Sequence, residues 1–226
     1  IRDNLPRLEF RRVLFRSPPV GYGAYVPETE YANEQNGQGN VAAQWTFGCQ
    51  GVVLDVDIET GEIIVRLVSS ALDIGRVINP KMARGQVEGA VIMGIGGTIM
   101  EYISYNKGLI RNQEFTDYKI FTPEDSVNVE MRTHFVETPD NAMIYGVKCL
   151  GEHPIIGIAP AIISAVKEAI GLDFYKLPLT AEYVRLEIRK NHSKVIEHIK
   201  KQKIKIARSE ERRVGKECRS RWTPEH

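Results

Sequence analysis

The chain has 226 residues, 42% of them hydrophobic and 26% charged, with a formal net charge of +1. That balance fits a globular protein of one large domain or two small ones. No run approaches the ~20 apolar residues of a membrane span, and the N-terminus lacks the charged-then-apolar pattern of a secretory signal, so a cytoplasmic protein with no membrane partner is expected. Cys49, Cys149 and Cys218 stand far apart, with no CxxC and no histidine at metal-ligand spacing, which argues against a disulfide framework or a zinc site.

The near-neutral charge conceals a segregation. From Arg185 onward there are 14 Lys/Arg against 6 Asp/Glu, and residues 1–17 carry 5 against 2, which leaves 18–184 acidic. The basic ends, LEFRRVLFRS (Leu8–Ser17) and RSEERRVGKECRSRW (Arg208–Trp222), have neither an amphipathic period nor turn logic. Both resemble in-frame translations of sequencing-library adapters. Segments 1–17 and 208–226 are therefore set aside as artefactual tails. The biological chain is expected to run over 18–207 and to be a piece of something larger. As solvated basic tails these ends would attract nucleic acid, but the acidic middle has no aromatic and basic interleaving to support binding, so no nucleic-acid partner is expected.

Pro18–Gln50, rich in Gly, Asn, Gln, Tyr and Pro, reads as loop with room for one short strand. Val52, Leu54, Val56 and Ile58 alternate, ETGE supplies a Gly turn, and EIIVRLVSSALDIG continues as a second strand, which together predict a β-hairpin. Pro80 suits the first turn of a helix whose Val87, Ala90, Val91, Gly94, Ile95, Thr98 and Ile99 fall at helical spacing. Its several glycines imply close packing or function. Asn106-Lys107-Gly108 predicts a tight I′ hairpin. Phe115–Phe121 and Val127–Glu137 read as strands, and Ile155–Ile170 as a helix closed by Gly171. Thr180 is the predicted N-cap of a last helix. Strand pairs mixed with helices, without regular βαβ alternation, give an α+β class: mixed or antiparallel sheets with packed helices.

Glu152 lies in YGVKCLGEHPIIGIAPAI, between a Gly-hinged loop and an apolar run. Apolar neighbours Leu150 and Ile155 would desolvate its carboxyl and make it a base near neutral pH. Alternatively it is a helix N-terminal acid stabilised by the dipole. Gln86 is a polar residue among small neighbours in the first turn of its helix, either an amide for a ring's donor–acceptor edge or a surface glutamine. Neither GxGxxG nor GxxxxGK[ST] is present, so no standard nucleotide loop is supported. Asp73 and Arg76 are expected to form an ion pair that braces their loop. Cys149 is a nucleophile without a visible base, or a small packed hydrophobe. The five histidines are scattered and His153 is expected to be structural.

Taken in order, DVDIETGEIIV, ALDIGRVINPKMARGQVEGAVIMGIGGTIMEY, GLIRNQEFTDYKI, YGVKCLGEHP, APAIISAVKEAIG and LPLTAEYV resemble the C-terminal part of the molybdenum-binding subunit of the xanthine dehydrogenase and aldehyde oxidase family. The resemblance covers most of residues 45–186. It implies that 18–190 is a fragment of a molybdopterin-binding domain and 191–207 a helical extension. It implies a molybdopterin cofactor contacted by Gln86 and Gly151, with Glu152 as the base that activates a metal-bound hydroxyl for attack on an N-heterocycle or aldehyde. It further implies 2Fe-2S and FAD groups on other domains or subunits, and a missing N-terminal part of this subunit. Two positions depart from the family pattern. Cys149 stands where Gly is usual, and His153 intervenes before Pro154. These departures leave open an inactive homologue with a structural or assembly role.

Overall fold

The computed structural model describes residues 21, 23–26, 29–140 and 143–203. Both terminal stretches with adapter-like sequence lie outside them. The chain divides into two compact units, one up to Ala43 and one from Gln44. In the first, Glu30 N–H donates to Asn40 O (2.9 Å) and Asn33 N–H to Gln38 O (2.7 Å) around a turn. Among its described residues there is no strand.

The second unit is built on a hairpin. Strands β1 (Gly48–Val56) and β2 (Ile63–Asp73) pair antiparallel, with one register shift between Val53 and Leu54. The Gly turn forms as predicted, with Gly61 at φ 79°. Asp57 takes the backbone N–H groups of Glu59 (2.8 Å) and Thr60 (3.1 Å). These bonds hold the exposed Asp57 carboxyl below its ordinary value.

Helix α1 (Pro80–Ile99) starts with Pro80 in its first turn. Asn79 caps it by accepting from Met82 N–H at 3.2 Å. The hairpin β3 (Tyr105–Asn106) and β4 (Leu109–Ile110) has both Lys107 (φ 50°) and Gly108 (φ 83°) left-handed, the signature of the I′ turn. Phe115–Phe121, expected as a strand, is turn and irregular chain instead. Its aromatics serve tertiary contacts: Tyr118 Oη donates to Glu101 Oε2 (3.2 Å) and Phe121 packs on the core. The short helix α2 (Pro123–Ser126) leads into β5 (Glu130–Val136), which runs parallel to β2. The sheet order is β1-β2-β5, with β2 central.

The expected Ile155–Ile170 helix is two helices, α3 (His153–Ile156) and α4 (Ile158–Ile170), jointed at Gly157. Gly171 closes α4 at φ 73°. Over His153–Ile170 the mean hydropathy, 1.3 across 18 residues, reaches that of a membrane-crossing helix. In this fold Ile158, Ile162, Val166 and Ile170, spaced at three- and four-residue steps, are instead buried in the core with Val87, Val91 and Ile95 of α1 and Val68 and Leu72 of β2. Helix α5 (Ala181–Lys190) is capped by Thr180 as predicted, which accepts from Tyr183 N–H at 3.3 Å. The chain is helical again over 192–203 (α6), with Val195 fully buried.

Two glycines of α1 test its packing. A Cβ on Gly94 would stand 2.7 Å from Ile158 Cβ, whereas a Cβ on Gly89 meets nothing within 4 Å. Alanine is intrinsically better than glycine in a helix by about 1 kcal/mol. Gly89→Ala should therefore stabilise the chain by about 0.5–1 kcal/mol, while Gly94→Ala should destabilise it by about 1–3 kcal/mol through overpacking. Urea unfolding of the two variants reads both signs.

Candidate functional site

At the end of β2 the chain leaves the sheet as Ile74-Gly75-Arg76 and is met by the segment that leads to Glu152. Lys148 N–H donates to Ile74 O and Arg76 N–H to Gly146 O, both at 2.9 Å, and Gly75 bridges Val147 antiparallel. Gly75 is at φ 62°, and a Cβ there would collide with Gly146 O and Lys148 N. Two backbones approach this closely only because one side chain is missing.

The expected Asp73–Arg76 ion pair is not formed. Asp73 pairs instead with Lys148, Nζ to Oδ2 at 2.6 Å, and both side chains are about nine-tenths buried. Asp73 Oδ1 also accepts from Gly75 N–H at 3.1 Å. Burial raises the Asp73 carboxyl. Hydrogen bonds from Lys148 and from the Gly75 and Thr138 backbone, with the Lys148 charge, outweigh it and hold the group below its ordinary value. A buried carboxylate needs a charged, hydrogen-bonded partner, and Lys148 supplies one from the loop that carries Glu152.

Gln86 lies on the exposed side of α1 and its Nε2 donates to Gly151 O at 3.2 Å. The structure thus brings together Gln86, Gly151 and Glu152, across 65 residues of chain. From the other side Gln50 of β1 donates Nε2 to Pro154 O at 2.6 Å and to Ser70 Oγ at 3.1 Å. No sequence signal marked Gln50. Two side-chain amides therefore fasten the loop immediately before and two residues after Glu152.

Glu152 itself is exposed and its side chain makes no cap hydrogen bond. Leu150 packs on the core, whereas Glu152 is exposed. Glu152 is the N-cap residue of α3, the helix N-terminal position of the alternative reading, and its carboxylate makes no cap hydrogen bond there. Cys149 is exposed beside it. His153 is half-buried, and its Nε2 is buried without a hydrogen-bond partner.

Burial lowers the His153 pKa from its ordinary 6.5. The sign follows directly. The folded loop holds neutral imidazole, while the unfolded chain takes up the proton first as pH falls. Stability should be full above about pH 6.5 and decline as pH falls towards the folded value. Thermal unfolding across pH 5–8 should show this slope, and His153→Gln should flatten it.

Two cavities, of about 450 and 660 Å³, lie elsewhere. The first is lined by Ile63, Val65, Ile99, Phe121, Val129 and Leu179, the second by residues around Leu177, Pro178 and Tyr183. Neither is lined by Gln86, Gly151 or Glu152. The chemistry of the surface around Gln86 and Gly151 fits a pterin cofactor. Gln86 keeps its Oε1 and its second N–H open to a ring's donor–acceptor edge. A Cβ on Gly85 or Gly89 would meet nothing, and one on Gly151 only Cys149 Sγ at 4.0 Å, so the backbone here is open to close approach.

Residues 12–127 match the family model for the molybdopterin cofactor-binding domain. That stretch includes Gln86 and ends before Glu152. The chain is 41% identical over 136 residues to the xanthine dehydrogenase molybdenum-binding subunit of Escherichia coli O157:H7, covering 59% of this chain and 18% of that protein. It is 35% identical over 141 residues to the nicotine 6-hydroxylase large subunit of Paenarthrobacter nicotinovorans, covering 61% and 17%. The aldehyde oxidoreductase structure from Desulfovibrio gigas shares the fold with a TM-score of 0.64 over 71% of this chain and 17% of that one, at 23% identity. The chain spans about a fifth of the length of the curated relatives it matches. With residues 12–127 matching its model, the chain belongs to the molybdopterin cofactor-binding domain family.

Proposed function

We propose that this chain forms one wall of the active site of a molybdenum hydroxylase that oxidises an N-heterocycle or an aldehyde, with Glu152 as general base. The observation that carries the proposal is the Gln86 Nε2–Gly151 O contact. It ties a cofactor-facing amide to the residue preceding an unpartnered carboxylate. Bound molybdopterin would supply the oxygen nucleophile and take up the electrons.

The residues of this chain do the rest. Gln86 and Gly151 hold one edge of the cofactor. Glu152 accepts the proton released as the nucleophile forms. The Lys148–Asp73 pair and the two glutamine amides hold the loop in place, as a base that must be within hydrogen-bond reach requires. An N-heterocycle or aldehyde agrees with the xanthine, nicotine and aldehyde chemistry in the relatives' names. The remainder of the same subunit would supply the other walls. Iron–sulfur (2Fe-2S) and flavin (FAD) groups on partner domains or subunits would carry electrons away.

The test is Glu152→Gln in the assembled enzyme, with turnover and molybdenum content measured together. A second reading, an inactive homologue serving in assembly, is favoured by Cys149 exposed on the loop and by His153 between Glu152 and Pro154. Full molybdenum loading without turnover of any heterocycle or aldehyde would support it.

A further inference from the structure

We infer that Gln50, on β1, is a positioning residue for Glu152: its amide wedges the joint between α3 and α4 and fixes the turn on which the carboxylate sits. The inference rests on the proposal that Glu152 is the base.

Gln50 stands opposite Ser70 in the β1–β2 register. Its Nε2 carries two hydrogens, and both are used. One goes to Pro154 O at 2.6 Å and the other to Ser70 Oγ at 3.1 Å. Ser70 is 2% exposed and Pro154 is buried, so neither has water as a substitute. A Cβ on Gly157 would collide with Gln50 Oε1. The amide thus occupies the space that the missing side chain at the helix joint leaves open. Glu152 has no side-chain cap bond of its own, and Ile155 N–H takes its backbone carbonyl at 3.0 Å, closing the turn that Gln50 grips. β1 therefore reaches the turn behind Glu152 through the Gln50 side chain. With Gln86 holding Gly151 O, the loop is clamped on both sides of the base by primary amides from different elements.

Leucine at 50 keeps the bulk and removes both donors. Glutamate keeps the shape, turns an oxygen towards Pro154 O, and regains one donor only when protonated. In the assembled enzyme Gln50→Leu should lower kcat about 10–100-fold, the size expected when a base is misplaced rather than removed. KM should change less than about 3-fold, because Gln50 is assigned no contact with substrate. Relative to the parent at the same pH, Gln50→Glu should recover kcat as pH falls, which simple loss of stability would not produce. A readout independent of turnover is hydrogen exchange: amides 151–157 should exchange faster in Gln50→Leu while those of α1 keep their protection.

Coupling separates the possibilities. In a Glu152→Gln background Gln50→Leu should have no further effect on kcat. If Glu152→Gln is inactive and Gln50→Leu, with normal molybdenum content, turns over at the parent rate, Gln50 does not position the base and the inference is overturned alone. If Glu152→Gln keeps full activity, the base assignment fails first. If Gln50→Leu does not accumulate, Gln50→Glu and its exchange pattern decide the matter, and unaltered protection at 151–157 overturns the inference.

Discussion

Replacing Glu152 by Gln in the assembled enzyme lowers kcat by about 10²–10⁴-fold while molybdenum content stays at the parent level. The substitution is nearly isosteric and removes only the ability to take a proton. Glu152 is exposed and spends its carboxylate on no internal bond, so folding and stability should be untouched. Gln86 and Gly151, proposed to hold the cofactor edge, keep their mutual contact because it uses backbone at 151 and not the Glu152 side chain. Loss of turnover with retained metal therefore isolates proton transfer. A variant with parent kcat would remove Glu152 from the chemistry, and a variant without molybdenum would make it a cofactor-retention residue instead.

Breaking the Asp73–Lys148 pair has the largest expected effect on stability. Either Asp73→Asn or Lys148→Met leaves one charge about nine-tenths buried without its opposite charge, a situation that costs about 3–5 kcal/mol. The double variant Asp73→Leu, Lys148→Met removes both charges and should recover most of that loss, since apolar replacement of a buried pair is often neutral. Denaturant unfolding of the four proteins gives the cycle directly. Equal stability of the singles and the parent would mean that water reaches the pair. The pH dependence has a definite sign. Asp73 titrates below its ordinary 3.8 when folded, so the pair's contribution is complete above that value and disappears as pH falls through the folded one.

What could be read from sequence alone was local. Pro80 starting α1, Thr180 capping α5, Gly171 ending α4 and Lys107-Gly108 turning a hairpin each depend on the backbone preferences of one or two residues. Phe115–Phe121 was misread because aromatic spacing imitates a strand, while its side chains answer to Glu101 and the core. Arg76 looked like the partner of Asp73 because it is three residues away; Lys148 is 75 away and no local pattern announces it. Gln86, Gly151 and Glu152 were found through motif resemblance, and the structure adds that they meet. Gln50 was invisible because a single polar residue near a strand's start says nothing about a carbonyl 104 residues on.

The three ties of the Glu152 loop span 65, 75 and 104 residues, and this has a consequence for the order in which the chain folds. The β1–β2 hairpin closes over a few residues and can form early, whereas each of these ties must wait for a long loop to close. The parallel β2–β5 pairing carries the same delay. A chain caught midway thus has its sheet nucleus but no seat for Glu152. A cofactor held as proposed by Gln86 and Gly151 would meet its site only in a nearly native chain, so its insertion should follow folding and not guide it.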